Sequence, residues 1–115
     1  MTEVVLVEAA EAFTHVAVKG HLDAAGVGQA DLKLTSQTVT RRKPAIVDLT
    51  EVGFIASLGI GMLVAIAKSM RAHHAGLAVV AGPSPVRHIL EMTNLSPLIQ
   101  VVGSRDEALR ALGLA

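Results

Sequence analysis

Apolar residues fall in short runs along the chain, separated by polar turns, and the runs follow two different periods. Val4 to Val7 is an apolar run suited to a strand. Phe13 to Val18 is rich in β-formers and alternates loosely, with Phe13, His15 and Ala17 against Thr14, Val16 and Val18, which predicts a second strand. The polar stretch between the two reads as a hairpin turn, and Gly20 closes the pair. Val27, Ala30, Leu34 and Thr38 then recur at helical spacing behind Asp23, a favoured N-cap residue type. Gly26 and Gly28 weaken that helix, each by up to about 1 kcal/mol relative to Ala.

Arg41-Arg42-Lys43-Pro44 is a stop and a turn. Ala45 to Leu49 is apolar without alternation until Asp48, the pattern of a buried strand. A loop from Thr50 to Ala56 leads to a helix from about Leu58 to His74, with Gly76 where a C-terminal cap belongs. Leu77 to Ala81 predicts another buried strand. Ser84 and Pro85 open the next helix as N-cap and first helical residue, with Val86, Ile89, Leu90 and Thr93 on one stripe and Asn94 and Pro97 ending it. Ile99 to Val102 is a last strand, and Ser104 to Glu107 is a capping box opening a helix through Ala108, Leu109 and Leu112. The order ββαβαβαβα predicts an α/β fold in which helices cover a mostly parallel central sheet of about five strands. With no repeat, linker or low-complexity tract, residues 1–115 read as a single domain.

Composition narrows the function classes. Ten basic residues balance ten acidic ones, whereas a nucleic-acid binder needs a basic excess to neutralise phosphates. Two Phe, with no Tyr or Trp, leave almost no platform for base stacking. The chain has no cysteine, which removes disulfides, thiolate zinc sites and thiol nucleophiles. The Met1-Thr-Glu-Val start lacks the basic and apolar regions of a secretory signal. The most apolar window, Leu58 to Ala67, is shorter than the roughly 20 residues a bilayer span needs. The expectation is a soluble, cytoplasmic protein without membrane insertion.

The segment from Ile46 to Ala67 carries the candidate chemistry. Ser57 stands just before a helix whose first amides point outward and whose dipole adds partial positive charge. Such a position suits an N-cap oxygen, worth about 1 kcal/mol over Ala, or a phosphate. Leu58 to Ala67 has no charged or amide side chain, so the face turned away from the sheet lies under a neighbouring helix or under a partner. Gly59 and Gly61 admit close approach of another surface, or pack closely on a strand.

Val47-Asp48-Leu49 and Phe54-Ile55-Ala56-Ser57-Leu58-Gly59-Ile60-Gly61-Met62-Leu63 resemble the STAS domain of anti-sigma factor antagonists. So do Gly20-His21-Leu22-Asp23, where that family commonly has Gly-Glu-Leu-Asp, the strand–turn–helix from Leu77 to Thr93, and Asn94-Leu95. The resemblance spans nearly the whole chain in the same order of elements. It implies a non-enzymatic adaptor in a partner switch, with no cofactor. In that family the first Ser of an Asp-Ser-Ser-Gly turn is phosphorylated by an anti-sigma factor that is also a serine kinase of the GHKL type, and a serine phosphatase resets it. Unphosphorylated, the domain binds the kinase and so frees a sigma factor. Carried over, Ser57 is the phosphoacceptor, with Asp23, Ala56 and Gly59 as its neighbourhood. Leu58, Ile60, Gly61 and Met62 begin the partner-binding helix, whose apolar face would also serve a homo-oligomer. The chain departs from the pattern at Ala56, where an acidic residue is usual, at Leu58 in place of the second Ser, and at His21 in place of Glu. The alternative is a non-phosphorylated STAS accessory subunit, as in a lipid-transport ABC complex. Ala56 favours that alternative; Ser57 and Asp23 favour the switch.

Other chemistries are weaker. His15, His21, His73, His74 and His88 include no i, i+4 pair, so they read as solvated helix-end residues and not as metal ligands. Ser57 lacks a G-x-S-x-G elbow, and Gly59-Ile60-Gly61 lacks the third glycine of a dinucleotide fingerprint. Thr50 and Ser84 suit turn and capping roles better than phosphate acceptance, and Arg41-Arg42-Lys43 a solvated helix end, for which a membrane-surface or acidic-partner contact needs more charge.

Overall fold

The apolar runs form a central five-stranded sheet. The computed structural model describes residues 1–115, with β1 (Glu3–Ala9), β2 (Thr14–Leu22), α1 (Ala24–Thr38), β3 (Ala45–Ile55), α2 (Ser57–Arg71), β4 (Leu77–Val80), α3 (Pro85–Met92), β5 (Ile99–Val102) and α4 (Arg105–Ala111). The strands lie in sequence order, β1-β2-β3-β4-β5. Only the β1–β2 hairpin is antiparallel; the other three pairings are parallel, as right-handed βαβ crossovers require. The expected ββαβαβαβα order and mostly parallel sheet are therefore present.

Two cores of unequal size occupy the two faces. The larger joins Val16, Val18, Leu22, Val47, Leu49 and Ile55 from the strands to Leu34, Leu63, Met70 and Leu90 from α1, α2 and α3. The smaller joins Ile46, Ala78 and Val80 to Ala108 of α4, with Phe13, Leu109 and Leu112 packed around them. The helix caps follow the sequence. Asp23 Oδ1 accepts from the Gly26 amide at 2.8 Å, Ser84 Oγ from Arg87 and Ser104 Oγ from Glu107.

Three expectations are corrected. β2 does not close at Gly20 but continues to Leu22, with Gly20 at φ +115°, a conformation that favours glycine. β3 does not end at Leu49. The stretch expected as a loop pairs with β2 through Lys19↔Glu51, Gly20↔Val52, His21↔Phe54 and Leu22↔Ile55. β4 pairs with β3 only as far as Asp48↔Val80, so the outer half of β3 has β2 as its one strand neighbour. There it exposes Thr50, Glu51, Gly53 and Phe54 while burying Val52 and Ile55, and this polar content disguised it as a loop. Finally, α2 stops at Arg71, and His74, at φ +60°, takes the left-handed position expected of Gly76. Gly76 is small for another reason: a Cβ there would stand 3.0 Å from Leu112 Cδ2.

Candidate functional site

The outer ends of β2 and β3 carry the chain into α1 and α2, and one main-chain bond ties these exits together. The Ala56 amide donates to the Leu22 carbonyl at 3.0 Å. Asp23 and Ser57 each follow directly, so the start of α1 and the start of α2 emerge side by side. Gly59 makes this approach feasible. A Cβ on Gly59 would sit 2.9 Å from Leu22 Cβ, Leu22 O and Ile55 Cγ1. Of the two roles open to this glycine, close packing on the strand is the one it fills. Gly61, by contrast, is exposed and a Cβ there would meet nothing.

Ser57 is not the N-cap of α2. Ala56 occupies that position in extended backbone, and its methyl group makes no capping bond. Ser57 is the first helical residue, exposed, with no hydrogen bond from its hydroxyl among the side-chain bonds of the structure. The first turn of α2 contains no acidic residue, so the positive end of the helix stands uncompensated beside this hydroxyl. Asp23 is half-buried and its carboxylate is engaged in capping α1.

The helix that follows divides more sharply than its composition suggested. Gly59, Met62, Leu63, Ile66, Ala67 and Met70 are buried, which settles what covers most of the apolar face: the sheet and α1. Met62, expected at the partner surface, is 6 % exposed and belongs to the core. Ile60 is half-buried against the same core. Leu58, 58 % exposed, Gly61 and Ala65 form the stripe left open. Phe54, 48 % exposed, stands on the end of β3 opposite His21 and was not among the expected site residues. Its signal was present in the chain: one of only two aromatic residues stands three positions before Ser57.

The neighbouring groups are polar but not catalytic in arrangement. The His21 ring lies over Gly53, with Nε2 3.3 Å from where a Cβ would be, and Lys19 pairs with Glu51 at 3.5 Å on the surface. Thr50 donates its amide and hydroxyl to Asp48 Oδ1, a local turn contact. Of the five histidines only His15 departs from the expected solvated setting. It is buried in β2 on the α4 side of the sheet, Nε2 3.8 Å from Asp48 Oδ2, and neither ring nitrogen has a hydrogen-bond partner. Burial pushes its pKa below the ordinary histidine value, against the opposing attraction of the Asp48 carboxylate; Arg105 lowers it further and Glu8 opposes. No three His, Asp or Glu residues gather closely enough to hold a metal ion. No helix is long and apolar enough to cross a membrane.

Comparison with known proteins agrees with this fold. An anti-sigma factor antagonist from Mycobacterium paratuberculosis has a similar structure, with a TM-score of 0.84, 22% identity, and coverage of 98% of this chain and 95% of that one. The anti-sigma factor antagonist SpoIIAA in its unphosphorylated form superposes with a TM-score of 0.68 at 17% identity, covering 91% of this chain and 92% of that one. The Bacillus cell fate determinant SpoIIAA in the phosphorylated form gives 0.63 at 20% identity, covering 94% and 97%. Among curated proteins none matches the sequence significantly. The sequence itself matches the STAS domain over residues 4–108, nearly its full length, and the chain belongs to that family.

Proposed function

We propose that this chain is an anti-sigma factor antagonist that works as a protein-binding adaptor, docking a GHKL-type serine-kinase anti-sigma factor through Phe54, Ser57, Leu58 and Gly61. Phosphorylation of Ser57 by that kinase releases the complex, and a serine phosphatase restores it. The observation that carries the reading is the setting of Ser57: an exposed, unbonded hydroxyl on the uncapped first turn of α2, followed by the exposed apolar side chain of Leu58. A phosphoryl group there adds about −1.5 to −2 charges beside the exposed Leu58, which opposes docking of an apolar partner surface. The same group would meet the positive end of the helix, so the modified form is stabilised while the complex is not.

Ala56 supports a second reading. With no carboxylate beside Ser57, a kinase has less to recognise, and the same surface would serve a constitutive accessory subunit. Affinity capture with wild type, Ser57→Ala and Ser57→Glu separates the two. The switch predicts a GHKL-type kinase held by wild type and Ser57→Ala and lost by Ser57→Glu. One partner retained equally by all three, or transporter subunits in its place, selects the constitutive adaptor.

A further inference from the structure

Because α1, α2 and α4 all return against the direction of the parallel strands, their C-terminal ends meet at one end of the molecule. Main-chain and packing contacts fix this juxtaposition. The Ala45 amide donates to Gly76 O at 3.0 Å, the Thr14 amide to Pro44 O at 3.0 Å, and Leu112 lies against Gly76. This end gathers Arg41, Arg42 and Lys43 after α1, Lys68 and Arg71 in the last turn of α2, and Arg110 in the last turn of α4. None of the six enters an ion pair; the salt bridges of the molecule use His15, Lys19, Arg87 and Arg105. Arg41 donates to the neutral Gln37 side chain and Lys43 to Ala10 O. Three acidic residues stand near this end, Glu8 on β1, Glu11 in the β1–β2 turn and Glu91 at the end of α3; Glu8 is held by Arg105 at 2.6 Å and Glu91 by Arg87 at 3.5 Å. The chain is neutral as a whole, but its charge is sorted.

We infer that this basic end is a docking surface for an anionic lipid bilayer. The three cations of Arg41-Arg42-Lys43 are too few by themselves, and the fold doubles them. The cations straddle the sheet, since α1 and α2 cover one face and α4 the other. A plane of headgroups reaches both sides at once, whereas a convex duplex of nucleic acid reaches only a line across them. Met92, 72 % exposed at the end of α3, and Leu114 after α4 add single apolar side chains at the rim, which suit the headgroup–acyl boundary. Ser57 begins α2 and Arg71 ends it, about 20 Å apart at 1.5 Å per residue. That is about two screening lengths at physiological salt, so acids near Ser57 do not cancel the basic end. A molecule held this way presents the Ser57 surface away from the bilayer. The inference stands independently of what binds at Ser57.

Co-sedimentation with vesicles tests it. Wild type should bind vesicles of phosphatidylglycerol and phosphatidylcholine at about 0.1 M salt, not pure phosphatidylcholine vesicles, and be released by salt at about 1 M, where the screening length is about 3 Å. Each cation near an anionic surface contributes about fivefold, so Arg41→Gln/Arg71→Gln should weaken binding by about thirtyfold. Arg42→Gln/Lys68→Gln should do the same, and urea midpoints close to wild type establish that both variants fold. Lys19→Gln/Lys33→Gln changes net charge equally but farther from this end, so at about 0.1 M salt, where the screening length is about 10 Å, it should cost clearly less than either of the other doubles. Equal loss in all three doubles, no binding of wild type to anionic vesicles, or a short DNA duplex that displaces the protein from them would overturn the proposal.

Discussion

Leu22 and Ala56 are joined by a hydrogen bond of 3.0 Å from the Ala56 amide to the Leu22 carbonyl, and this bond places the first turns of α1 and α2 side by side. The approach depends on Gly59, which fills the space against Leu22 and Ile55. Gly59→Ala should therefore destabilise the fold by about 1–3 kcal/mol, through overpacking that pushes α2 off the strand ends. Gly61→Ala, where a Cβ meets nothing, should stabilise by about 0.5–1 kcal/mol. Urea unfolding of the two variants should thus move the midpoint in opposite directions.

The capping assignments make a second pair. Asp23→Ala removes the bond to the Gly26 amide and should cost about 1 kcal/mol. Ser57→Ala should change stability by no more than about 0.5 kcal/mol, because the hydroxyl caps nothing. Ala56→Ser should gain about 1 kcal/mol by supplying the missing cap. A loss on Ser57→Ala as large as that on Asp23→Ala would show that Ser57 caps α2 after all.

Met62 and Leu58 separate core from surface. Met62→Ala should cost about 2–5 kcal/mol, as for other buried side chains truncated to Ala. Leu58→Ala should leave the urea midpoint nearly unchanged and weaken capture of the partner proposed for the Ser57 surface. Intact capture by Leu58→Ala and Phe54→Ala together would remove that surface from the binding reaction.

His15 should make stability pH-dependent. Its folded pKa lies below the ordinary 6.5, so the unfolded chain takes up the proton first as pH falls. Stability should be steady above about pH 7.5 and decline as pH drops through about 6.5 toward the folded value, the sign expected of a histidine buried neutral. The measurement is the urea midpoint across that range, with His15→Gln expected to flatten this part of the profile. A midpoint that rises on acidification would mean that pairing with Asp48 outweighs burial.

Much of this molecule could be read from its sequence. The order of elements, Asp23, Ser84 and Ser104 as caps, and the parallel core followed from periodicity and local chemistry. The outer half of β3 did not, because a strand flanked on one side only shows fewer apolar positions than a central one. Ser57 was legible as a candidate but not as an uncapped first residue, since the choice between Ala56 and Ser57 as cap depends on where Leu22 holds the chain. Met62 was misplaced because an apolar helix without charges does not announce which stripe faces the sheet. The grouping of basic residues was invisible for a simpler reason: Arg41 and Arg71 are 30 positions apart and come to the same end of the molecule only through the order of strands and helices.

The outer half of β3 is a cantilever. From Thr50 to Ile55 it is bonded into the sheet from one side, by β2, while the stretch from Ala45 to Asp48 is clamped between β2 and β4. Stiffness should therefore fall toward Phe54 and Ser57, and main-chain amides there should exchange with solvent sooner than those of Ile46 to Asp48. A partner that lands on this tip would damp it, so slowed exchange at Val52 to Ile55, with no change at the clamped base, would map the landing site without a single substitution.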